Sequence, residues 1–395
     1  MRRFFSWKRF SRERPYSGGI HWRAAWLFSL FSLGFTALYL RVGYLADSPG
    51  LAPTARQQAK YTLTVSETRG NIYDRELRLL VNKKTETVYG ILPSAENLSP
   101  VLSAVPTARR AAVSEQLRSG RPFLLKDVSL SETLGVTAFS VPVRSGERQL
   151  APHIVGYTDS DGKGVTGIEK SCDGFLSAAS VKQTITYTLD GLGHSIPGIE
   201  PEIRSETGNG AGIVLSIDSI IQKVIENAGS AGLKKGAIVV MDPDTGEIRA
   251  AASFPFYTRS TLTQCLKDNE NTPMINRAFL SYSVGSTFKV VTAAAALEEG
   301  ISLTESYNCT GQIDVGGQIF RCHKRSGHGE VDMVDGMMKS CNPYFIHLGQ
   351  LAGGEKLLKM AERFGFGDRV TLSEGMTVSG GTLPTLSQLQ SPAAV

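Results

Sequence analysis

The chain is poor in the residues that would announce a metal site. Its 5 cysteines and 6 histidines are scattered over 395 residues with no ligand spacing, so no metal or cofactor is expected. There is no internal repeat, which excludes a solenoid or propeller, and no long low-complexity tract. Long uncharged apolar runs are missing too, with one exception, Ala24 to Leu40. Negative charge is almost absent ahead of that run, where Glu13 alone stands against Arg2, Arg3, Lys8, Arg9, Arg12, Arg14 and Arg23. The formal net charge of +5 belongs largely to this tail and gives no sign of a nucleic-acid partner. What remains is an ordinary globular composition, long enough for two soluble domains.

The apolar run of about 17 residues would span roughly 25 Å as a helix. Arg23 and Arg41 can snorkel at its ends, and Trp22, Trp26, Tyr39 and Tyr44 suit the two interfaces. The basic tail then stays in the cytoplasm and everything after Gly43 lies outside. Tyr44 stands where cleavage after Ala46 would need a small residue, which favours an uncleaved anchor over a signal peptide. The expected parts are a cytoplasmic tail over 1–21, a single transmembrane helix over 22–42, an extracytoplasmic module over 43–206, and a further domain over 207–395.

Ser286-Thr287-Phe288-Lys289 opens an Ala-rich helix that Gly300 closes. A serine hydroxyl is a weak nucleophile until a base lies within hydrogen-bond reach. Residues three apart share a helix face, so the Lys289 amine stands beside the Ser286 oxygen. The first helical turn adds unpaired N–H groups and positive dipole, which favour a neutral amine and a developing oxyanion. Alone, the tetrapeptide also fits a capping serine with a solvated lysine. A second match, Ser160 to Lys163, lies among Gly and Asp residues that cannot sustain a helix and reads as a turn.

Downstream, Ser340-Cys341-Asn342 falls on a short connection between two helices. It offers a second hydroxyl to shuttle a proton and an amide to hold both Lys289 and a substrate carbonyl. A helix cap would not call for the serine and the asparagine together. Ser306-Tyr307-Asn308 has the same pattern but follows the Ser286 helix too closely to fold back across its start.

With these residues in place, the chain resembles the class B penicillin-binding proteins, monofunctional peptidoglycan D,D-transpeptidases, over nearly its whole length. Arg69-Gly70-Asn71-Ile72-Tyr73-Asp74-Arg75 is similar to a segment near the start of the family's extracytoplasmic part. His153 to Tyr157, Gly167 to Lys170 and Val240 to Ile248 match later segments in the family's order. The resemblance implies an α+β architecture: a membrane anchor, a β-rich pedestal module, then a penicillin-binding, serine β-lactamase-like transpeptidase domain. It also implies catalytic roles for Ser286, Lys289, Ser340 and Asn342, and an acyl-serine intermediate without a cofactor. Implied partners are stem peptides ending in D-Ala-D-Ala, β-lactams, the membrane, a glycosyltransferase and other cell-wall machinery. Two departures stand out. Val284 occupies a position where the family usually has Pro. No Lys-Thr/Ser-Gly triad follows Asn342, so the domain is expected to be C-terminally incomplete.

Between anchor and domain, Tyr61 to Val65 and Thr184 to Leu189 read as strands, Arg109 to Leu117 as a helix and Thr207 to Gly212 as a linker. Asp218 caps an amphipathic helix whose expected inner face is Ile220, Ile221, Val224, Ile225 and Ala228. Ala237 to Met241 and Glu247 to Ser253 read as a hairpin, and Glu355 to Phe364 as a helix. Cys309 and Cys322 bracket a Gly-containing segment on the oxidising side, where a disulfide and two free thiols both remain open. Cys341 reads as a packing residue, and Cys172 and Cys265 have no evident partner. Two other function classes are weighed against the transpeptidase. A class D β-lactamase or β-lactam sensor would carry Ser-x-Val where this chain has Ser340-Cys341-Asn342. A non-catalytic scaffold would keep the pedestal and its contacts alone.

Overall fold

In the computed structural model, the described residues are 18–47, 59–131, 135–194, 196, 198–206 and 211–390. Residues 1–17 of the expected tail over 1–21 and most of the expected linker lie outside them. Gly18–Asp47 forms one helix of 30 residues, about 45 Å at 1.5 Å per residue. Its His21–Ala46 stretch is long and apolar enough to cross a membrane, and its Trp, Phe and Leu side chains are exposed. The helix outruns the apolar run read from sequence at both ends, and no proline lies within it.

The described chain forms two compact units, each drawn from separated stretches of sequence. In the first, strands Phe123–Lys126 and Val136–Val143 flank Lys84–Ile91. Helices Leu98–Ala104 and Thr107–Arg118 bury Val101, Val113 and Leu117 with Ile91, Phe123 and Leu125 of this sheet. A second sheet orders Lys60–Thr68, Val181–Thr188 and Glu202–Glu206, with Thr62 and Thr186 hydroxyls paired across it at 2.9 Å.

The second unit takes in residues 66–86 and 140–182 as well as 205–395. Buried charge organises its early part. Arg69 meets Glu169 at 3.3 Å and Asp173 at 2.8 Å, and Arg144 meets the other Glu169 oxygen at 2.6 Å. Glu169 is 1% exposed, so two guanidinium groups neutralise a carboxylate that water cannot reach. Asp74, 0% exposed, accepts from Ser219 Oγ at 2.6 Å and from the N–H groups of Arg78 and Glu76. Burial alone would raise its pKa; the hydrogen bonds outweigh burial and hold the carboxyl below its ordinary value. The Arg69–Arg75 segment therefore works here as a structural clasp.

Helix Ser219–Gly232 starts where expected, with the Asp218 carboxylate accepting from the N–H groups of Ile220 and Ile221 at 2.8 and 3.3 Å. Its inner face differs from the apolar stripe. Gln222, Ile225, Glu226 and Gly229 are buried, while Ile220 and Val224 are exposed. The cause is a polar lock onto strand Ile248–Phe254: the Gln222 amide donates to Ala251 O and accepts from Ala251 N, each at 2.9 Å. Glu226 Oε1 accepts from Gln222 at 2.9 Å and from Ala151 N at 2.7 Å. Gly229 allows the close approach, since a Cβ there would lie 2.1 Å from the Phe254 ring. The strand pairs antiparallel with Gly236–Met241 as the expected hairpin.

Replacing Glu169 by Ala leaves the buried Arg69 and Arg144 without their shared anion. Urea denaturation of the detergent-solubilised chain, followed by circular dichroism, is expected to show a loss of about 3–5 kcal/mol. Asp161→Ala on the exposed turn should change it by less than about 0.5 kcal/mol.

Candidate active site

Ser286 lies on a 3₁₀ turn, Gly285–Phe288, that runs directly into the α-helix Lys289–Glu298. The sequence placed it within the helix itself. The difference preserves the pairing, because side chains three apart eclipse one another in a 3₁₀ turn. Gly285 enters the turn at φ +56°, a conformation that favours glycine. The helix ends as read: Gly300 has φ +79°, with Gly300 N bonding Leu297 O at 3.1 Å and Ile301 N bonding Ala296 O at 3.0 Å. Its small residues let it pack on both sides. Val291 and Ala295 meet Leu357, Met360 and Ala361, while Ala293 and Ala296 join Tyr344 and Leu348.

Ser340 and Asn342 come from the connection between helices Met333–Met338 and Asn342–Ala352. Ser340 sits at φ +46°, an uncommon backbone state for a residue with a side chain. That kink turns the segment toward Lys289. The Lys289 Nζ lies 3.1 Å from Ser286 Oγ, 2.8 Å from Ser340 Oγ, 2.9 Å from Ser340 O and 2.7 Å from Asn342 Oδ1. The two serine oxygens are 3.1 Å apart. All four residues singled out from the sequence thus share one cluster of bonds. Lys289 is 8% exposed, and burial lowers its ammonium from the ordinary lysine value against the opposing charge of the Cys341 and Cys322 thiols. A lowered lysine beside a serine oxygen is a proton acceptor in position to activate a nucleophile.

The two look-alike motifs go elsewhere. Ser160 to Lys163 is a turn in which the Asp159 carboxylate accepts from the N–H groups of Asp161 and Lys163 at 3.0 and 2.9 Å. Ser306 bonds Glu330 at 3.2 Å beside the ladder of Tyr307–Cys309 with Gly329–Val331.

One constellation escaped the sequence reading. The side chains of Cys309, Cys322, His328 and Cys341 converge, their ligating atoms all within 4.8 Å of one another. No disulfide joins Cys309 to Cys322; both thiols are free and buried, as is Cys341. The order C-x₁₂-C-x₅-H-x₁₂-C has none of the short C-x₂-C steps that flag such a cluster. Only the fold brings the residues together.

Comparisons with known proteins show what the chain is similar to. Residues 236–392 match the family described as the penicillin binding protein transpeptidase domain. Stage V sporulation protein D of Bacillus subtilis (strain 168) is 28% identical over 365 residues, 85% of this chain and 55% of that protein. The peptidoglycan D,D-transpeptidase PbpA of Mycobacterium tuberculosis (strain H37Rv) is 33% identical over 174 residues, 38% of this chain and 35% of that protein. Among solved structures, the penicillin-binding protein PBP2 of Helicobacter pylori aligns with a TM-score of 0.54 at 25% identity, covering 78% of this chain and 67% of that one. The chain spans about half the length of the Bacillus relative.

Proposed function

We propose, for a chain whose residues 236–392 match the transpeptidase domain family of penicillin-binding proteins, that Ser286 is the nucleophile of a peptidoglycan D,D-transpeptidase. The observation that carries this reading is the Lys289 amine, bonded at once to Ser286, Ser340 and Asn342. As a neutral amine it takes the Ser286 proton across 3.1 Å while Oγ attacks the carbonyl of the penultimate D-Ala of a stem peptide. The carbonyl oxygen becomes an oxyanion, the peptide bond breaks, and the leaving D-Ala nitrogen needs a proton. Ser340 Oγ, 2.8 Å from Lys289 and 3.1 Å from Ser286, supplies it and is recharged from Lys289. Asn342 fixes the amine through Oδ1 and presents its side-chain N–H to the substrate backbone. An amine of a neighbouring stem then attacks the acyl-serine by the same path in reverse, completing the cross-link. A β-lactam, whose strained amide occupies the place of D-Ala-D-Ala, stops at the acyl-enzyme.

The helix Gly18–Asp47 serves as the membrane tie, with the basic N-terminus in the cytoplasm and the chain after the helix outside, alongside the glycosyltransferase and other wall-building partners. The asparagine at position 342 disfavours the class D β-lactamase reading, which calls for valine there.

Fluorescent penicillin added to the full-length protein should label Ser286, located by peptide mass spectrometry, and Ser286→Ala should carry no label. Lys289→Ala should slow acylation by at least about 100-fold while the circular dichroism spectrum is kept. Label that survives Ser286→Ala, or that maps to Ser160 or Ser306, overturns the assignment. A folded protein that takes no label at all supports the non-catalytic scaffold instead. For the topology, a periplasm-dependent reporter such as alkaline phosphatase fused after Gly50 should be active, and the mature chain should retain Met1 or Arg2. A mature N-terminus near Asp47 would make the helix a cleaved signal.

A further inference from the structure

We propose that Cys309, Cys322, His328 and Cys341 form a tetrahedral site for one zinc ion, placed directly behind the second catalytic segment. The geometry is that of a first coordination sphere. Zn–S bonds of about 2.3 Å at tetrahedral angles set ligand atoms about 3.8 Å apart. Here His328 Nδ1 lies 3.5 Å from Cys322 Sγ and 3.9 Å from Cys309 Sγ, and all four ligand atoms fall within 4.8 Å of one another. The three cysteines are 1%, 1% and 0% exposed, so competing water is kept away. A disulfide would need only two sulfurs, about 2.05 Å apart, and would strand the third thiol and the imidazole beside it. Three thiolates and one imidazole instead match the soft, closed donor set of structural zinc.

The backbone is folded for this convergence. Gly311 has φ +96° and Gly327 φ +78°, and a Cβ on either would lie 2.0 Å from Arg325 O or 2.1 Å from Cys309 O. That close crossing brings Cys309 and His328 together, while the hairpin Gln312–Val315 with Gln318–Arg321 returns the chain to Cys322. Cys341 arrives from the helix connection. Binding converts three thiols to thiolates and releases three protons, giving a complex of net charge −1. Lys324 and Lys339 lie within electrostatic reach of His328, and these two cations offset the charge of the complex.

The site deepens the transpeptidase reading, on which its catalytic consequence rests. Cys341 is the residue between Ser340 and Asn342, so a metal bond at its sulfur pins the φ +46° backbone at Ser340 and the start of helix Asn342–Ala352. Zinc here is structural, since it has no path to the substrate carbonyl through the closed sphere.

The experiment starts with the full-length protein purified without added metal and analysed by inductively coupled plasma mass spectrometry. About one zinc per chain is expected. Cys322→Ser and His328→Ala should each reduce it below about 0.1, and Cys172→Ser with Cys265→Ser should leave it unchanged. Exchange with Co²⁺ should give the intense visible bands of tetrahedral thiolate-bound cobalt, a readout independent of acylation and of whether the variants fold. Metal-free protein that takes up neither Zn²⁺ nor Co²⁺ after reduction overturns the site. So does a Cys309–Cys322 or Cys322–Cys341 disulfide found by alkylation mapping of the isolated protein, or a pale octahedral cobalt spectrum. Zinc bound at Ser286→Ala, where penicillin labelling is lost, separates the metal site from the catalytic reading.

Discussion

The Lys289 amine closes a polar cluster by bonding to a serine three residues away and to two side chains 51 and 53 residues away. Much of the surrounding structure follows from keeping it there. An amine this buried loses hydration and needs several oxygen acceptors, and it finds four. The alanines of its helix provide the narrow waist that lets helix Asn342–Ala352 approach, so that Ser340 and Asn342 come within reach. Desolvation lowers the ammonium pKa, and the same burial shapes the environment in which Ser286 can be deprotonated.

A comparable logic runs through the buried charges elsewhere in the second unit. Glu169 is held by two arginines, and Asp74 by a ring of hydrogen bonds. Pairs of this kind add little net stability over apolar packing, yet they penalise any fold that leaves one member alone. They thereby specify which segments meet: 69–75, 144 and 169–173 lie far apart in sequence and have one arrangement that satisfies all of them.

The four residues of the Lys289 cluster were legible because their spacing is local. Ser286 and Lys289 need only a helical spacing, and Ser340 and Asn342 only a short loop, so reading the residues in order was enough. The hairpin at Gly236–Phe254 and the Asp218 cap were legible for the same reason. The inner face of helix Ser219–Gly232 was misread because an apolar stripe is only a proxy for burial. Here Gln222 and Glu226 win the interior by bonding the backbone of Ala251 and Ala151, partners invisible in the helix's own sequence. The Cys309–Cys341 cluster was hidden differently. Its members are separated by turns whose tightness depends on Gly311 and Gly327, so the sequence spacing resembles no compact ligand motif.

The backbone at Ser340 has a consequence for what else could occupy that position. Its φ of +46° suits glycine, and to a lesser degree asparagine or aspartate, far better than serine. None of those three carries the hydroxyl that bonds Lys289 and Ser286. Threonine carries one but brings a branched Cβ that this conformation rejects. Shape and chemistry thus exclude each other's preferred alternatives, and serine is the compromise that meets both. Any replacement at this position therefore gives up either the backbone conformation or the hydroxyl bonds to Lys289 and Ser286.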